Sequence, residues 1–142
     1  VQTTGFGFSD WGAGIGFDLH TRTAYDASAY AGIGFWARLA PGATNANTDL
    51  RVDVTDRNSV PQGFVCDDEN VRCYANFGVR FVIGEEWQFY QFLWSDLSQP
   101  GWQDRSYPSI ERSALYGVRF QVETEQPFDF QIDDVVFLCP AR

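Results

Sequence analysis

The chain contains no lysine and no methionine, a single histidine, His20, and three cysteines in 142 residues. With one histidine and no CxxC spacing, a zinc site is not expected. No GxSxG or HExxH motif is present, and His20 has no serine or cysteine nucleophile in any recognisable setting, so hydrolysis by a triad or a metal centre has no sequence support. No run approaches the roughly 20 apolar residues of a membrane-spanning helix. Basic charge is scarce: the formal net charge is -9 and the pI about 4.3, so duplex nucleic acid and anionic lipid would be repelled. Neutral or cationic ligands fit better. Absence of an initiator methionine and of a signal peptide implies a mature fragment or excised domain, with Val1 not the natural start and export directed by a segment outside it.

What the chain does have is period-two alternation. In "GIGFWARL" Ile33, Phe35, Ala37 and Leu39 fall on one face, with Gly34, Trp36 and Arg38 on the other. "LRVDVTD" turns Val52 and Val54 in and Arg51, Asp53 and Thr55 out. "NFGVRFVI" contributes Phe77, Val79, Phe81 and Ile83; "YGVRFQVE" sets Val118, Phe120 and Val122 against Arg119, Gln121 and Glu123; "FDFQIDDVVF" alternates Phe128, Phe130 and Ile132 with Asp129, Gln131 and Asp133. "GAGIGFDLH" is an earlier strand weakened by glycine. Turn-rich connectors separate these runs, and long helical periodicity is missing. The pattern predicts an all-β fold, a two-sheet antiparallel β-sandwich of the jelly-roll kind, as a single domain over residues 1–142.

"WQFYQFLWSDLSQPGW", residues 87–102, is the densest aromatic stretch. Trp87, Phe89, Gln91 and Leu93 share one face of a strand, and Gln88, Tyr90, Phe92 and Trp94 the other. Both faces are mostly aromatic, so one covers the core and the other is covered by a loop or floors a groove. Trp87, Phe89 and Leu93 are assigned to the core, Tyr90 and Phe92 to the ligand side. Trp11 and Trp36, which precede or interrupt a strand near small residues, read as structural. Trp102, in the polar loop "QPGWQDRSYP", reads as a rim residue with Tyr107.

Cys66 and Cys73 flank six loop-type residues and can bridge if the chain reverses there. That bridge, with the acidic, lysine-free, aromatic-rich composition, points to a secreted or cell-surface setting. Cys139 is left over by parity, as a buried thiol or the partner of a residue outside this segment. "DDEN" at Asp67–Asn70 lacks the glycine and terminal glutamate of an EF-hand loop and reads as an acidic hairpin tip.

In order and spacing, "YDASAYAGIGFWAR", "LRVDVTD", "CYANFGVRFVIGEEWQFYQFLWSDLSQPGW", "LYGVRFQVE" and "FDFQIDDVVFL" together resemble the β-jelly-roll carbohydrate-binding modules of the galactose-binding-like superfamily, family eleven in particular. The resemblance runs from about Gly5 to Leu138. Such modules usually carry a further strand ahead of "GFGFSDWGAGIGF", so this chain looks trimmed at its N-terminus. The resemblance implies non-catalytic binding of a polysaccharide, β-glucan among the candidates, on one sheet face, in a domain borne by a parent enzyme or cell-surface protein. It also implies a structural calcium near the closing strand, where Asp133 and then Asp134 match the acidic element.

Sugar recognition needs flat rings for the C–H faces of pyranoses and planar polar groups for paired hydroxyls. The outward residues that meet this need are Arg51, Asp53, Gln88, Tyr90, Phe92, Trp102, Arg119, Gln121 and Glu123. The bland alternative for Arg51/Asp53 and Arg119/Glu123 is ordinary surface pairing, worth about 0.2–1 kcal/mol each. Two other functions compete: an adhesive or scaffold domain that binds protein, and a glycoside hydrolase, for which no carboxylate pair stands in a suitable context.

Overall fold

The computed structural model describes residues 1–21, 23–44 and 46–141. Eight strands form two four-stranded antiparallel sheets. One holds β1 (Gln2–Gly5), β8 (Phe128–Leu138), β3 (Gly32–Leu39) and β6 (Gln88–Leu93) in that spatial order; the other holds β2 (Ala13–Asp18), β7 (Leu115–Val122), β4 (Asp49–Asp56) and β5 (Phe77–Val82). They are called the β3 sheet and the β4 sheet below. The chain changes sheets after nearly every strand, and only β4 and β5 follow one another within a sheet. This is the sandwich the alternation predicts. Each strand offers one apolar face, and burying it requires a second sheet whose own apolar face is turned toward it.

The core between the sheets is aromatic. Phe35 of β3 meets Phe120 of β7 edge to face at 4.8 Å and Phe81 of β5 at 5.2 Å between ring centroids. Val52, Val54, Val118, Val122, Phe130 and Ile132 fill in around them, all fully buried. The inward residues read from β3, β4, β7 and the start of β8 are buried, Leu39 only in part, while Asp53 and Thr55, read as outward on β4, are buried too.

Two features depart from the sequence reading. A strand lies ahead of "GFGFSDW": β1 runs antiparallel to β8, with Gln2 opposite Gln131 and Gly5 opposite Phe128. The phase of β6 is inverted. Tyr90 sits opposite Phe35 and Phe89 opposite Trp36 in the ladder with β3, so Tyr90 follows Phe35 into the core. Tyr90 is only 9% exposed, stacks 5.9 Å from Phe35, and donates its hydroxyl to the Val82 carbonyl at 2.7 Å. Phe92 packs inward beside it. Trp87, Phe89 and Leu93, expected in the core, are instead 37%, 38% and 49% exposed. With aromatics on both faces of the strand, its own sequence carries no phase; the register with β3 sets it.

Candidate functional site

The outer face of the β4 sheet is hollow on one side and crowded on the other. β2 presents Gly14 and Gly16, which stand opposite Gln121 and Arg119 of β7. β4 presents Arg51 and Asp53, opposite the same Gln121 and Arg119. On its other side β4 meets β5, with Arg51 opposite Arg80 and Asp53 opposite Gly78. The period of two therefore puts Arg51, Asp53, Arg80, Arg119 and Gln121 on one surface, and Gly16 of β2 lets the Arg119 side chain lie over that strand.

Asp53 is the fixed point of this floor. It is 3% exposed, and Arg51 Nε donates to its Oδ1 at 2.6 Å. Arg51 Nη2 also donates to the carbonyls of Ser98 at 3.0 Å and Asn76 at 3.3 Å. Burial pushes the Asp53 carboxyl above the ordinary aspartate range, while Arg51, then Arg119 and Arg80, pull the other way. A Cβ at Gly78 would fall on Asp53 Oδ1 and lie 2.8 Å from Arg51 Nε; the Arg51–Asp53 pair rests directly on that glycine. Arg80 joins Glu123 and reaches Asp49 at 3.5 Å. Three arginines thus face three acids, and among the described residues Arg119 alone of the three makes neither an ion pair nor a hydrogen bond.

The rim is aromatic and is held by the Cys66–Cys73 disulfide, whose Cα atoms are 5.2 Å apart. Asp67 closes the turn inside it by accepting the amides of Glu69, Asn70 and Val71, and these bonds, led by the Asn70 side chain, hold its carboxyl far below the usual range. Next to the bridge, Arg72 grips Asp104 through Nη2 at 2.9 Å and donates to the Trp102 carbonyl at 2.5 Å, and its guanidinium lies 5.4 Å from the Trp102 ring centroid. Tyr74 follows with φ +68° and stands half exposed. Opposite, Trp11 is 84% exposed and its carbonyl accepts Gln121 Nε2 at 3.1 Å. Rim and floor enclose a groove of about 1070 Å³. Asn76 also lines it, and the Asn76 Oδ1 is buried with no donor among the described residues.

Six of the nine residues proposed from the sequence gather here: Arg51, Asp53, Trp102, Arg119, Gln121 and Glu123. Gln88, Tyr90 and Phe92 do not, because β6 belongs to the other sheet. Tyr90 and Phe92 face the core, and Gln88 caps the Tyr90 hydroxyl at 3.3 Å. Tyr107 packs against the core and does not line the groove. Arg80, Arg72, Tyr74, Trp11 and Asn76 were missed. Arg80 was legible, since it alternates with Phe81 and Val79; the other four sit in loops, where no periodicity says which way a side chain turns. Trp36, read as structural, is 40% exposed on the opposite face of the molecule. Cys139 is exposed and unpaired.

Asp133 and Asp134 lie where β8 bulges against β3: Gly34 pairs Val136 and Trp36 pairs Asp133. Both are exposed, and the Asp134 amide donates to Asp133 Oδ1. Among the described residues no group of three or more His, Cys, Asp or Glu side chains comes together. Two carboxylates supply at most four of the roughly six to eight oxygens that calcium takes, and backbone carbonyls or water would have to complete a site there.

No protein-family model and no curated protein matches the sequence. Solved structures do match in fold. The family 11 carbohydrate-binding module of the cellulosomal cellulase Lic26A-Cel5E of Clostridium thermocellum is similar at TM-score 0.70 and 15% identity over 98% of this chain and 74% of that one. A Clostridium thermocellum family 11 module in complex with a beta-1,3-1,4-mixed-linked tetrasaccharide gives 0.70 and 15% over 97% and 74%. A family 30 carbohydrate-binding module gives 0.55 and 13% over 92% and 73%. The chain therefore has the β-sandwich fold of carbohydrate-binding modules.

Proposed function

We propose that this chain is a non-catalytic glycan-binding domain and that its ligand, a neutral polysaccharide such as a β-glucan, lies in the groove of the β4 sheet. The single observation that carries the reading is the groove itself, with planar donors and acceptors fixed on its floor and three exposed rings on its rim. Arg51, Asp53 and Gln121 are held by protein partners, so little rotamer entropy is lost when hydroxyls bind them. Trp11, Tyr74 and Trp102 offer ring faces for pyranose C–H surfaces. Charges are balanced on the floor, which suits a ligand without net charge. A related fold in complex with a β-1,3-1,4-linked tetrasaccharide supports the ligand class.

Catalysis is disfavoured because the groove's carboxylates are already engaged: Asp53 by Arg51, Glu123 by Arg80 and Asp68 by the Cys73 amide. A glycosidase acid needs a carboxyl free to give its proton to the leaving oxygen. The disulfide suits an oxidising compartment, and the domain is proposed to be secreted or displayed at a cell surface, alone or on a parent enzyme. The adhesive alternative rests on the opposite face, where Trp36 and Phe89 lie 5.5 Å apart, exposed. Affinity electrophoresis on soluble β-glucan, xylan and mannan tests the reading. Retardation on at least one, lost in Arg51→Ala and without release of reducing ends, is the expected result. A folded protein retarded on none would favour the adhesive role.

A further inference from the structure

A second hollow of about 450 Å³ lies on the same face, lined by Tyr116, Gln62, Thr55, Asp18 and His20. It shares Arg119 and Tyr74 with the first. Registers show how the two are related. The first spans Gly14, Arg51 and Gln121, and the second spans Asp18, Thr55 and Gly117, so they succeed one another along β2, β4 and β7. From Glu123 to Gly117 at about 3.3 Å per residue, the joined groove is about 20 Å long, room for several pyranose rings in line.

An irregularity in β7 furnishes the second hollow. Thr55 pairs Gly117 and Asp56 pairs Leu115, which leaves Tyr116 as an extra residue without a partner on β4. Leu115 and Val118 are both buried, so strict alternation is broken between them, and Tyr116 is half-buried along the hollow. Bulges re-aim side chains in this way. The Tyr116 hydroxyl is tethered to the Gln62 carbonyl at 3.2 Å, which fixes the ring. Between the hollows stands Arg119, whose guanidinium has no partner among the described residues. Its side chain lies over Gly16, where a Cβ would come within 2.7 Å of Arg119 Cγ.

We propose that the second hollow is a continuation of the glycan site. A polysaccharide chain runs along the strands through both hollows, with the rings of Tyr74 and Tyr116 flanking Arg119, and Arg119 donating to hydroxyls at the junction. The inference rests on the glycan-binding reading above and extends it from a short oligosaccharide to a longer stretch of chain.

The test is titration calorimetry with β-1,3-1,4-linked oligosaccharides of increasing length, on the wild-type protein and on Tyr116→Ala and Tyr116→Phe. Affinity is expected to keep rising beyond the tetrasaccharide, by about tenfold or 1.4 kcal/mol. Tyr116→Ala is expected to abolish that rise while binding the tetrasaccharide as wild type does; Tyr116→Phe keeps most of it. Retained tetrasaccharide affinity also shows that the variant is folded. If Tyr116→Ala does not fold, the double variant His20→Ala/Gln62→Ala, altered only at exposed side chains of the second hollow, reads the same length dependence. A wild-type affinity that is flat with length, or a rise untouched by the folded variants, overturns the extension and leaves the glycan reading standing. No binding at any length overturns the extension together with β-glucan as the ligand, and retardation on none of the three polysaccharides overturns the glycan reading itself.

Discussion

At the scale of single residues, two tyrosines do opposite work: Tyr74 stands half exposed at the rim of the groove, whereas Tyr90 is buried. Tyr90 is a core residue. Replacing it with alanine should cost about 3–5 kcal/mol, as for other large core aromatics, whereas Tyr90→Phe, which loses only the bond to Val82, should cost about 1 kcal/mol; urea midpoints measure both. Neither change should alter glycan affinity of the protein that remains folded. Arg72 and Asp104 give a pH prediction. Hydrogen bonds and charge from Arg72 hold the Asp104 carboxyl below its ordinary range. A depressed folded pKa means that the contribution is present above the unfolded value, about 3.9, and is lost as pH falls through the folded one. Trp102 emission should therefore change below about pH 4, and Asp104→Asn should abolish that acid transition. A transition of unchanged midpoint in the variant would show that the Arg72 clasp does not hold Trp102.

At the scale of elements, the groove depends on two small devices. Gly78 leaves space for the Arg51–Asp53 pair, so Gly78→Ala should displace it, costing about 1–3 kcal/mol by overpacking and removing retardation on β-glucan gels. Retained binding would mean that the pair is not part of the recognition surface. The Cys66–Cys73 bridge closes a short loop; by chain entropy its loss in Cys66→Ser/Cys73→Ser should cost about 2 kcal/mol, read as a shift in the guanidinium midpoint. Binding should weaken as well, since Arg72 and Tyr74 flank Cys73. The pairing of these cysteines was legible from their spacing and the turn-rich residues between them. The direction of Tyr74 was not, because a positive φ in a loop leaves no trace in a hydrophobic pattern.

For the whole molecule, a calcium ion held by Asp133 and Asp134 would tie down the closing strand and raise thermal stability. A fall of several degrees in the melting temperature on adding EDTA would place the ion at the closing strand, and an unchanged melting temperature would exclude it. The two outer faces of the sandwich also differ in kind: the β4 sheet presents a charged groove with aromatic rims, the β3 sheet an exposed apolar patch around Trp36 and Phe89. Sequence determined the fold class and the inward residues of β3, β4 and β7, because one apolar face per strand writes a period of two directly into the chain. For the same reason it placed Arg51, Asp53, Arg119 and Gln121 together once their strands were taken as neighbours. Tertiary structure alone decided the rest. A strand that is aromatic on both faces takes its phase from its ladder partner, and loop residues such as Trp11 and Tyr74 take their direction from a disulfide and single hydrogen bonds. A bulge at Tyr116 swaps a face by inserting one residue. Each of these depends on a partner distant in the chain, which local periodicity does not record.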